Sequence, residues 1–201
     1  MNVTCQELRN RAWNSLTGKY WEIVLMILIF SLISGAASSV TAGVLSLLTL
    51  PIGYAISVAI LNVSRTQADP QIESLFTVYR DNFLKAFLVP FLQGLFILLW
   101  SLLLIIPGII MGYAYSMAIY VANDNPELSA MDAIRKSREL MDGHKWDLFV
   151  LDLSFIGWIL LCLLTCGIGF IFLAPYVEMA HVEFYRELVD NQIEEAQVVS
   201  E

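Results

Sequence analysis

Ala86–Asn123, AFLVPFLQGLFILLWSLLLIIPGIIMGYAYSMAIYVAN, is 38 residues long and carries no charge of either sign. A helix needs ~20 mostly apolar residues to cross the hydrocarbon core of a bilayer. This run is nearly twice that length, and Pro107-Gly108 interrupts it near the middle. It reads as two membrane spans joined by a tight turn. A soluble helix needs a polar face where it meets water. Phe91–Ile106 offers only Gln93 and Ser101.

The same pattern occurs twice more. Ile23–Ser64 is 42 residues without charge, with glycines from Gly35 to Gly43 near its middle. Leu148–Tyr185 carries only acids and one histidine, and is broken at Thr165-Cys-Gly-Ile-Gly169. All eleven basic residues fall in the stretches between. They are Arg9, Arg11 and Lys19; Arg65, Arg80 and Lys85; Arg135, Lys136, Arg138 and Lys145; and Arg186. Six spans place these stretches on one side. Basic residues beside spans stay cytoplasmic and acids contribute little, so the net charge of −8 does not conflict. The spacing predicts spans at about 21–36, 44–64, 84–105, 109–123, 147–164 and 168–187. Both termini are expected inside, with an acidic cytoplasmic tail over 191–201. The chain is thus expected to be all-α, one six-span domain over 1–190. Hydrophobic residues make up 58% and charged residues 15%, against roughly 45–50% and about 25% in soluble domains. Nothing in this composition suits a nucleic-acid partner. Met1-Asn2-Val3-Thr4 runs into a polar amphipathic stretch, so no cleavable signal is expected.

The three hairpins read as one unit repeated in parallel, over about 21–64, 84–123 and 147–187. Trp21, Phe83 and Trp146 open them, 62 and 63 residues apart. Tyr54, Tyr113 and Tyr176 match in the return spans, and each is followed eleven residues later by a charge: Arg65, Asp124 and Glu187. A fixed period marks an architecture of equivalent units. A short amphipathic helix precedes each hairpin. Thr4 and Glu7 cap the first, Asp69-Pro70 opens the second, and Ser129 with Asp132 opens the third. Such helices either lie in the membrane interface or pack under the bundle as a lid. Trp13, Trp21, Trp146, Arg135, Lys136, Arg138 and Lys145 are the expected interfacial anchors, and the three basic residues on the third helix could hold anionic lipid headgroups.

Ionisable groups within spans are functional by default. Asp152, Glu178 and His181 are counted here, with Gln93 the polar residue of the third span. Asp152 lies six residues past Trp146 and His181 six before Glu187, so both sit ~9 Å inside the boundary at 1.5 Å per residue. The repeat therefore predicts an Asp152–His181 bond. The cluster reads either as a polar clamp fixing helix register or as a proton or cation site. Glu178-Met-Ala-His181 spells Glu-x-x-His, but di-iron bundles need that motif twice plus two more carboxylates. No metal or cofactor is expected. Cys162 and Cys166 are expected to pack rather than ligate.

Gly18-Lys-Tyr-Trp21, Ile105-Ile-Pro-Gly-Ile-Ile110, Tyr115-Ser-Met-Ala118, Asp124-Asn-Pro126, Gly143-His-Lys-Trp146, Leu153-Ser-Phe-Ile-Gly-Trp158, Leu164-Thr-Cys-Gly-Ile-Gly169, Pro175-Tyr176 and Phe184-Tyr185 together resemble a bacterial membrane-protein family catalogued as domain of unknown function 975. The resemblance runs from about Leu8 to Leu188. It implies a multi-pass plasma-membrane protein with no assigned activity. The expected function is non-enzymatic: an accessory protein, scaffold or membrane-protection factor acting through lateral helix contacts, with a membrane-protein partner or a second copy. The alternative is a small transporter or channel using Asp152, Glu178 and His181.

Overall fold

The computed structural model describes residues 4–29, 50–66, 83–103, 105–165, 167 and 169–200. The turn of the first hairpin, the parts of its spans over 30–36 and 44–49, and the second amphipathic helix lie outside these residues. Every regular element among the described residues is a helix. In chain order they are α1 (Cys5–Leu16), α2 (Tyr20–Ile29), α3 (Leu50–Thr66), α4 (Phe83–Leu103), α5 (Ile105–Tyr115), α6 (Ala118–Asp124), α7 (Ala130–Leu140), α8 (Lys145–Leu153), α9 (Ile156–Leu164) and α10 (Gly169–Ser200).

Local chemistry explains the breaks. Thr4 and Glu7 cap α1 reciprocally, and the Thr4 N–H bond holds the Glu7 carboxyl below its ordinary value. Ser129 accepts from the Asp132 N–H at the start of α7. Gly143, at φ +81°, lets the chain leave α7 and turn into α8. The expected span 109–123 is divided at Ser116–Met117, and 147–164 at Ser154–Phe155. The same side-chain bond marks each break. Ser116 Oγ donates to the Tyr113 carbonyl at 2.8 Å, and Ser154 Oγ to the Leu151 carbonyl at 2.6 Å. A serine that bonds back to a carbonyl competes with the helical ladder. α10 runs on to Ser200, through the residues expected to form the tail.

α4 and α5 pack antiparallel. A Cβ at Gly108 would lie 2.2 Å from Ser101 Oγ and 2.8 Å from its Cα, so only glycine permits this turn. α9 and α10 repeat the device, since a Cβ at Gly169 would meet Cys162 Sγ at 2.8 Å and its Cα at 3.0 Å. Both contacts span seven residues. Gly167, at φ +87°, donates to the Cys162 carbonyl and ends α9.

The core collects Ile60 and Leu61 of α3, Met117, Met141, Leu148 and Leu151, Phe155, and Phe184 and Tyr185 of α10. Leu8, Ala12 and Leu16 of α1 and Ala133 and Ile134 of α7 join it. The apolar faces of these two amphipathic helices therefore meet the bundle, the lid arrangement, rather than facing outward. Phe83–Ser101 and Lys145–Leu164 are long and apolar enough to cross a membrane, and only 11% and 22% of these windows are buried inside the protein.

Candidate functional site

α10 carries one polar side chain after another into the bundle, and together they reach several helices. Asp152 Oδ1 lies 2.6 Å from His181 Nε2, and its Oδ2 accepts from Tyr113 Oη at 3.0 Å. This joins α8, α10 and α5 at one carboxylate. Asp152 and His181 keep 31% and 24% of their side chains exposed. Glu178, one turn earlier on α10, turns elsewhere. Its Oε1 accepts from Ser57 of α3 at 2.7 Å and from Tyr120 of α6 at 2.9 Å. The Glu-x-x-His pair thus diverges onto separate partners. Among the described residues no three of His, Cys, Asp and Glu converge closely enough to hold a metal ion. Gln93 Oε1 is buried and accepts no bond from the described residues, and Gln93 joins neither group.

Two further carboxylates bond in the bundle, Glu183, which escaped the sequence reading, and Asp124, which it noted only as a repeat position. Glu183 is buried, and its Oε1 accepts from Ser64 Oγ at 2.6 Å, Ser15 Oγ at 3.0 Å and Arg186 at 3.3 Å. It lies within the expected sixth span, where only Glu178 and His181 were counted. Its one sequence signal was its spacing, two residues past His181 and so on another face of the helix. Asp124 receives both Arg65 guanidinium nitrogens, at 2.7 and 2.6 Å, and Tyr185 Oη at 2.7 Å. Burial pushes the Asp124 carboxyl up, but Arg65 and Tyr185 outweigh it and hold the group below its ordinary value. Arg65 and Asp124 were singled out as matching repeat positions, and here they bond to each other. Glu187, the third, pairs with Arg11 at 2.8 Å.

α1 lies across the middle of α10. The Arg9 carbonyl accepts from Tyr176 Oη, whereas Arg11 and Ser15 reach Glu187 and Glu183. The polar network is therefore level with α1.

The expected anchors are at the surface. Trp13, Trp21 and Trp146 are exposed. Arg135 pairs with Asp132 at 3.6 Å, Lys136 donates to Asn125, and Lys145 pairs with Asp142 at 2.9 Å. The Lys145 bond holds the Asp142 carboxyl below its ordinary value. Arg138 sits in the last turn of α7.

Residues 102–192 match a family model described as Protein of unknown function (DUF975). The chain resembles that family. The DUF975 match takes in Asp124, Asp152, Glu178, His181 and Glu183, but neither α1 nor α3, which supply Ser15, Ser57, Ser64 and Arg65. No curated protein matches the chain, and no solved structure does.

Proposed function

We propose that this chain is a multi-pass protein of the bacterial plasma membrane, with six spans in three parallel hairpins and both termini cytoplasmic. It has no catalytic role and acts through lateral helix contacts, as an accessory or scaffold protein. One observation supports the reading: among the described residues, the two stretches long and apolar enough to cross a membrane are mostly not buried inside the protein. A core helix of a soluble protein is mostly buried, whereas these windows are 11% and 22% buried. Leu98, Leu99, Leu160, Leu163 and Leu164 are all exposed. Left in water, such faces would be large apolar patches of the kind that aggregate. The shared Gly108 and Gly169 turns support the repeat. The interior serines Ser15, Ser57, Ser64 and Ser137 donate to carboxylates or a carbonyl, which supports a structural role for the polar groups. Extraction of membranes with alkaline carbonate tests the membrane reading. The chain should stay in the pellet, and its release as a soluble monomer would contradict it. Purification in mild detergent should then retain a membrane-protein partner or a defined oligomer, and a lone monomer would count against lateral contacts.

Transport through Asp152, Glu178 and His181 is the second reading. The partial exposure of Asp152 and His181 favours it. The separation of Glu178 from that pair, and the position of the network beside α1, favour the clamp. A pH-dependent flux in reconstituted vesicles, abolished by Glu178→Gln, would establish transport.

A further inference from the structure

We draw no further inference here: the strongest candidate, the apolar groove of about 510 Å³ between α1, α2, α9 and α10, is an unpartnered apolar face, and nothing in the structure shows what covers it.

Discussion

Asp152 accepts from two directions, His181 on one oxygen and Tyr113 on the other. Removing its charge leaves both donors short of a strong acceptor. Asp152→Asn should lower thermal stability in detergent by about 1–2 kcal/mol, the upper range for polar contacts between membrane helices. His181→Gln should cost a similar amount, and the double variant less than the sum. Strictly additive losses would show that the two side chains act independently. Asp124 supplies a pH test. Its folded-state carboxyl is held below the ordinary value of 3.8, so its contribution is present above that value and lost as pH falls through the folded-state value. The unaltered chain should outlast Asp124→Asn at pH 6, and the difference should shrink as pH falls below 3.8 and through the lowered folded-state value. A constant difference across that range would contradict the Arg65–Asp124 assignment. Asp152 and His181 were legible because the repeat gave their depth along adjacent antiparallel helices. Glu183 was not legible as a buried acid. Its donors Ser15 and Ser64 lie 168 and 119 residues away in sequence, and local pattern carries no record of such a pairing.

At the scale of elements, close approach separates one glycine from another. Gly108→Ala would drive a Cβ into the Ser101 backbone and should cost about 1–3 kcal/mol. Gly157, on the exposed face of α9, has open space where a Cβ would stand, so Gly157→Ala should be neutral or gain up to about 1 kcal/mol. Unfolding midpoints of the two variants compare them directly, and equal losses would refute the turn geometry. The α1–α10 crossing makes a second comparison. Ser15→Ala removes a buried donor to Glu183 and should cost about 1 kcal/mol. Arg11→Ala removes a pair whose arginine is half exposed and should cost less than that. A larger loss from Arg11→Ala would reverse the roles assigned to them. The capping residues Thr4 and Ser129 and the breaker Gly143 marked element ends in the sequence because each acts within a few residues, whereas Gly108, expected at the turn, lies inside α5. The breaks at Ser116 and Ser154 were missed because serine is common in apolar helices, and only its bond to a carbonyl distinguishes a break.

For the molecule as a whole, the apolar runs announced helices that face outward, since a stretch such as Phe91–Ile106 has no polar side to turn toward water. Which helices meet was less legible. The apolar faces of α1 and α7 read equally well as resting in lipid or beneath the bundle, and only the three-dimensional packing of Leu8, Leu16 and Ile134 decides for the bundle. The central claim is that six spans put every basic stretch on the cytoplasmic side. Cysteine accessibility tests it most directly, in a chain whose Cys5, Cys162 and Cys166 are replaced and single cysteines are introduced at Gln71, Ala130 or Gly167. A membrane-impermeant maleimide applied to intact cells should label the cysteine at Gly167, and should reach those at Gln71 and Ala130 only after the membrane is opened. Labelling at Gln71 or Ala130 in intact cells would contradict the topology.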